Sequence, residues 1–303
     1  MIKNKNLIRL LLSLTILITL GSFTVNHSSL AQVGNSPPLV SFTPAQKQIL
    51  DRLTTKQIIY LGETHDREAD HQAQLAIIQH LHRRRRPIAI AMEMFQRPAQ
   101  TIINNYLAGK ITELELIEQT EYEKRWGFDW KYYAPILQYA KTHRLPVIAL
   151  NTPTEITRQV AKQGLESLTP AQRQNIPPIA DIDRTNNAYR DILFDIYRQH
   201  QQTATLNSKS FDRFYTAQLL WDETMAEGVA NFFRRNPDRQ LIVMAGKIHI
   251  IYGHGIPSRV TRRLQKIAKH KKFTQATVLL STEKKIAQES DPKPGDFIWH
   301  IID

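Results

Sequence analysis

Three short apolar runs in this chain each end on ionisable side chains, and that repetition limits the folds open to it. Ile58-Ile59-Tyr60-Leu61 leads into Gly62-Glu63-Thr64-His65, Ile88-Ala89-Ile90-Ala91-Met92 into Glu93, and Leu241-Ile242-Val243-Met244-Ala245 into Gly246-Lys247-Ile248-His249. Short apolar runs bounded by glycine or charge read as buried strands. As parallel neighbours in one sheet they would gather Glu63, His65, Glu93 and His249 at a single edge. Open α/β sheets bind their ligands at that edge, beyond the carboxyl ends of the strands.

The segments between the runs read mostly as helices. Thr43-Pro44 is an N-cap followed by proline in a first turn, opening a helix to about Leu53. Further helices are expected over Glu68–Arg83, Pro98–Leu107, from Thr112, and over Trp130–His143, Pro153–Gln163, Ala188–His200, Phe211–Arg234 and Pro257–Ala268. Strands are expected at about Gln57–Leu61, Ile88–Met92, Pro146–Leu150 and Gln240–Ala245, with closing strands at Phe273–Ser281 and Asp296–Ile302. This alternation predicts an α/β layered fold, a mainly parallel central sheet flanked by helices. The stretch from Gly164 to Asp183 holds Pro170, Pro177 and Pro178 and few large apolar residues. Residues 164–206 are read as a helical insertion, a lid over the sheet edge.

The N-terminus carries Lys3, Lys5 and Arg9 ahead of an apolar run from Leu10 to Leu20, then Ser29-Leu30-Ala31. This pattern predicts an export signal over residues 1–31, cleaved after Ala31, because the run is short for a membrane span. Residues 32–43, with Pro37-Pro38, read as a flexible tether, and 44–303 as a single domain. The expected destination is periplasmic or extracellular. The sequence has no cysteine, so it has neither a disulfide framework nor an acceptor for a lipoprotein lipid. Net charge is +12, and +9 once the signal and its three basic residues are removed. A basic exported chain favours anionic ligands or peripheral contact with a negative membrane. No nucleic-acid-binding motif accompanies the charge, so nucleic acid is not expected as a partner.

Glu63 and His65 are two apart, so an extended backbone sets both on one side, where they can share a metal ion or pass a proton. The competing reading has Glu63 capping the next helix and His65 bonding the turn. Glu93 is flanked by Met92 and Met94 and needs a partner if buried, either a ligand or Arg97. Gly246 to Pro257 is the most distinctive segment: Gly246 precedes His249, and Gly253 and Gly255 bracket His254. Such glycine use points to close backbone approach. His249 and Tyr252 offer an imidazole and a phenol, both haem-iron ligand types; a core histidine and an edge aromatic are the alternative. Gln218, Asp222 and Met225 share one helix face that could line the site. His71, His80 and His82 read as an exposed polar face, the Arg83–Arg86 run as charge at a helix end, and Trp126, Trp130, Tyr132 and Tyr133 as packing against the sheet or lining a flat slot. There is no phosphate-cradling loop and no serine nucleophile elbow.

Taken together, Leu61-Gly62-Glu63-Thr64-His65-Asp66, Met92-Glu93-Met94-Phe95, Ala217-Gln218-Leu219-Leu220-Trp221-Asp222 with Met225-Ala226, and Gly246 to Pro257 resemble the ChaN-like haem-binding uptake family. That family lies within the wider group of TIKI proteases, TraB proteins and erythromycin esterases, and the likeness runs roughly from Ile58 to Ser258. It implies an exported haem-binding α/β protein. ChaN-like proteins are often lipoproteins, so the missing cysteine is a departure. The resemblance further implies that Glu63, His65, Glu93 and His249 match positions that hydrolytic relatives use to bind metal or activate water.

Two expectations follow. In the first, haem sits at the sheet edge, in a homodimer interface, with Tyr252 or His249 on the iron, Lys247 and Arg259 on the propionates, and His254, Gln218 and Asp222 lining the site. Its partners would include a haem receptor or transporter. In the second, Glu63, His65, Glu93 and His249 hold zinc or manganese, or activate water directly, for hydrolysis.

Overall fold

The computed structural model describes residues 41–84, 86–200, 208–267, 273–281 and 293–301. The expected signal segment and most of the tether lie outside the described residues. Among those described, no helix is long and apolar enough to cross a membrane.

In chain order the main elements are α1 (Pro44–Leu53), β1 (Ile58–Glu63), α2 (Glu68–Arg83), β2 (Ile88–Gln96), α3 (Gln100–Leu107), α4 (Glu113–Gln119), α5 (Tyr122–Arg125), α6 (Ala134–Thr142) and β3 (Val147–Asn151). They continue with α7 (Thr154–Gln163), α8 (Pro170–Arg173), α9 (Asn187–His200), α10 (Ser208–Arg235), β4 (Gln240–Gly246), α11 (Ile256–Ile267), β5 (Gln275–Ser281) and β6 (Phe297–His300). The strands form one six-stranded parallel sheet in the order β3-β2-β4-β1-β5-β6. The α/β layered expectation holds.

Helices cover both faces, which is why the strands are apolar without alternation. Along β1, Ile59 and Leu61 join a core with Ile77 of α2 and Ile136 of α6, while Ile58 and Tyr60 join a second core with Leu219 and Val229 of α10 and Val260 of α11. Leu165, Leu168, Ile176, Ile182, Tyr189 and Leu193, all within the expected insertion, bury into this second core. Residues 201–206 of that insertion lie outside the described residues.

β1 and β4 are adjacent and in register, Glu63 opposite Gly246. The connection leaving β1 carries α2 over the first face towards β2, and the one leaving β4 carries α11 over the second face towards β5. The chain therefore leaves these two strands towards opposite faces, the arrangement that in open α/β sheets sets a ligand crevice at the carboxyl ends.

Some boundaries differ from expectation. β2 continues to Gln96, with a register shift against β3 between Met92 and Gln96, so Glu93 lies inside a strand rather than after it. The segment expected as one helix over Trp130–His143 splits into a 3-10 turn, Trp130–Tyr132, and α6.

Candidate functional site

Glu63 closes β1 with its side chain towards the α2 and α6 face. Its Oε1 lies 2.9 Å from His65 Nδ1 and accepts from the Tyr133 hydroxyl at 2.6 Å, and its Oε2 accepts from Gln74 Nε2 at 2.6 Å. Burial pushes this carboxyl up, but the charge of His71 and these hydrogen bonds outweigh it and hold its pKa below the ordinary value. Glu63 does not cap the following helix. No side chain caps α2; Asp70, in its first turn, reaches back to accept from the Thr64 amide at 2.7 Å while Arg67 Nε holds its other oxygen at 2.6 Å.

The second half of the site is built on β2, β4 and α10. His249 lies in the 3-10 turn Lys247–His249 after β4. Its Nδ1 is 2.7 Å from Asp222 Oδ1 and its Nε2 is 3.3 Å from Glu93 Oε1. The Gln218 carboxamide is 3.1 Å from Nδ1, and the Tyr189 hydroxyl donates to Asp222 Oδ2 at 2.9 Å. Burial favours neutral imidazole, yet Glu93 and Asp222 override it and raise His249 to about 10. Glu93 is correspondingly held at about 2: burial raises it, but His249, His65 and the Gly246 N–H outweigh that cost. At neutral pH His249 is an imidazolium between two carboxylates. Glu93 is thus partnered by His249 and not by Arg97, which turns away to Glu227 at 2.8 Å and to the Thr224 carbonyl.

The halves meet at Gly246. A Cβ there would fall 2.7 Å from His65 Nε2 and 3.7 Å from Glu93 Oε2, so both atoms border one point and no larger residue fits. The His65 ring is closed over by Trp126 and Phe128, at centroid distances of 4.8 and 4.9 Å. Burial lowers its pKa, but Glu63 and Glu93 outweigh this and raise it. The structure therefore brings Glu63, His65, Glu93, His249, Asp222 and Gln218 into one buried network.

The remaining predicted residues run from the 3-10 turn after β4 into the first turn of α11. Lys247 is 5% exposed and its charge acts on Asp70. Arg259 is 2% exposed, with Nε 3.2 Å from Glu223 and Nη1 donating to the carbonyls of His254 and Gly255 at 2.5 and 3.0 Å. Both cations are buried, and Arg259 braces the loop. Tyr252 is half-buried in the left-handed region (φ 54°), its amide donating to the Pro294 carbonyl at 2.7 Å. Its hydroxyl has no hydrogen-bond partner among the described residues, and its ring lies 5.8 Å from that of His254. Gly246 and Gly255 do mark close approach, but to the chain itself, whereas Gly253 has nothing within 4 Å of a would-be Cβ and serves its left-handed backbone (φ 69°) instead. Gly246 admits the His65 ring, and a side chain at Gly255 would overlap the His249 carbonyl.

The zinc or manganese expectation is not supported. Among the described residues no three His, Asp or Glu side chains converge to hold a metal ion. The reason is local: both oxygens of Glu63 and both ring nitrogens of His249 already face partners within the protein. His71, expected on an exposed face, is buried against Tyr132 and bonds the His65 carbonyl at 3.1 Å. Gln74 and Tyr133, which fix Glu63, were not singled out in the sequence as ligands of that carboxylate. Gln74 has no local signal, while Tyr133 was legible only as an aromatic packing on the sheet.

Comparison with known proteins agrees with this architecture. The solved structure described as cofacial heme binding to ChaN of Campylobacter jejuni superposes with a TM-score of 0.62 at 19% identity, covering 83% of this chain and 90% of that one. A mutant of erythromycin esterase EreC in its open conformation is a looser likeness, TM-score 0.43 and 16% identity over 82% of this chain and 78% of that one. Among curated proteins, RETICULATA-RELATED 5, chloroplastic, of Arabidopsis thaliana is 24% identical over 277 residues, or 84% of this chain. The chain spans only 35% of that plant protein's length. The family model described as haem-binding uptake, Tiki superfamily, ChaN, matches residues 49–260, so the chain belongs to that family.

Proposed function

We propose that this protein binds haem on the Ile250–Gly255 loop beyond β4, with Tyr252 as the iron ligand, and serves haem or iron uptake outside the cytoplasm. The observation that carries the reading is the Tyr252 phenol, half-buried, without a hydrogen-bond partner among the described residues and held on a left-handed backbone. Family membership supports haem as the ligand. His249 is the poorer iron ligand, because both its ring nitrogens face carboxylates and neither offers a free lone pair. Bound haem would supply a ferric iron open to an anionic oxygen, together with carboxylates suited to a basic chain. Export through the N-terminal segment, a second copy covering the exposed side of the loop, and hand-over to a haem receptor or transporter complete the reading. The test is titration of ferric haem into the purified chain lacking residues 1–31. A saturable Soret shift that Tyr252→Phe abolishes is expected; no saturation, or an unchanged shift in that variant, discards the site.

A second reading rests on the other half of the crevice. His65 Nδ1 is fixed by Glu63, its Nε2 has no hydrogen-bond partner among the described residues, and ionised Glu93 borders the same point beside Gly246. A carboxylate base and an imidazole acid so placed suit metal-free hydrolysis of an ester. Chromogenic ester turnover that falls at least tenfold in Glu93→Gln would support it. Turnover indistinguishable between the two proteins would remove it.

A further inference from the structure

Asn186 caps α9 from the segment that covers the second face of the sheet. Its Oδ1 accepts from the Tyr189 backbone N–H at 2.9 Å. A backbone amide can only donate, so the carboxamide has one orientation. Its Nδ2 then lies 3.1 Å from His254 Nδ1. An amide nitrogen also only donates, so Nδ1 of His254 must accept, and the ring proton must sit on Nε2. An imidazolium has no lone pair at Nδ1 and would break this contact. The residue is further fixed by Arg259 Nη1 and Ser258 Oγ, which donate to its carbonyl at 2.5 and 2.7 Å. Its ring stands between Tyr189 and Tyr252, at centroid distances of 6.0 and 5.8 Å.

We propose that Asn186 is a positioning residue that locks His254 in its neutral Nε2–H form, so that the loop presents a hydrogen-bond donor, and no second nitrogen ligand, beside the Tyr252 phenol. The tautomer follows from this chain's own contacts alone, whereas its consequence for a ligand rests on the haem reading above. A histidine without a free lone pair cannot bind iron in competition with that phenol. Tyr252 would then be the chain's own iron ligand on this loop, which suits a carrier that must also release its cargo.

The experiment uses the chain lacking residues 1–31, first without haem. Nitrogen-15 NMR of the His254 ring at neutral pH should show a pyridine-type Nδ1 and a protonated Nε2. Asn186→Asp keeps an acceptor for the Tyr189 amide, and so keeps the helix cap, but sets a carboxylate against Nδ1 and should reverse the tautomer. A protonated Nδ1 in the wild-type ring, or the same tautomer in both proteins, overturns the proposal. Ferric haem is then added to both. Wild type should give a high-spin, oxygen-ligated spectrum. Asn186→Asp should shift towards a low-spin spectrum with nitrogen ligation, and Asn186→Asp with His254→Gln should lose that shift. Identical spectra in all three overturn the ligand-facing half. Failure of the wild type to bind haem overturns the haem reading and that half with it, while the haem-free spectra still decide the tautomer.

Discussion

Asp222 of α10 and His249 beyond β4 meet at 2.7 Å, with the other nitrogen of the same ring 3.3 Å from Glu93 on β2. One imidazolium thus fastens a helix to two strands at the mouth of the crevice. Replacing it uncovers two buried carboxylates. His249→Asn should cost about 3–5 kcal/mol, the usual penalty for leaving a buried charge unpaired. Denaturant unfolding at neutral pH measures it. A loss below ~1 kcal/mol would show that the carboxylates find other partners.

The same pair gives stability a pH dependence of known sign. Glu93 falls from an ordinary 4.5 to about 2 on folding, so its contribution is complete above pH 4.5 and is lost as pH drops through about 2. His249 rises from 6.5 to about 10, so its contribution is complete below pH 6.5 and is lost as pH climbs through about 10. The two overlap fully only between pH 4.5 and 6.5. Unfolding free energy should fall on both sides of that window, and the alkaline limb should flatten in His249→Asn. An alkaline limb unchanged by the substitution would place its origin elsewhere.

Gly246 separates the two halves of the network by the width of a hydrogen atom's replacement. Gly246→Ala would set a methyl 2.7 Å from His65 Nε2 and 2.8 Å from Cε1. The ring would have to move out from between Gly246 and Trp126, at a cost of about 1–3 kcal/mol for overpacking. Since Glu63 holds that ring by its other nitrogen, the histidine NMR resonances of His65 should shift with the stability loss. Wild-type stability and an unshifted ring would mean that the crevice has spare room.

Much of this was legible in the sequence because it depends on local pattern. Unbroken apolar runs gave the buried strands, and Gly62-Glu63-Thr64-His65 gave a Glu–His contact that two-residue spacing makes possible. What pairs across the chain was less legible. Arg97 is near Glu93 in sequence, but β2 stays extended to Gln96 and carries Arg97 beyond reach, while His249 arrives from β4. Glycine-rich sequence after β4 announced close approach without saying what approaches, and the answer is the chain's own His65 and His249. An inward Gln74 on an amphipathic helix looks like any polar residue until the facing strand end is known.

Tyr252 occupies a backbone region that disfavours side chains with a Cβ, and its hydroxyl gains no hydrogen bond in return among the described residues. A left-handed conformation costs a non-glycine residue about 1–2 kcal/mol, and such strain persists where the residue itself is needed. Tyr252→Gly removes the strain together with the phenol and its half-buried ring, so stability should change by less than ~1 kcal/mol in either direction. Haem binding should disappear in the same variant. Tyr252→Phe keeps both ring and strain and should lose haem as completely, separating the oxygen from the packing. Thermal unfolding and haem titration on the three proteins read this out. Retained haem binding in Tyr252→Gly would mean that the strain serves the fold of the loop and not its ligand.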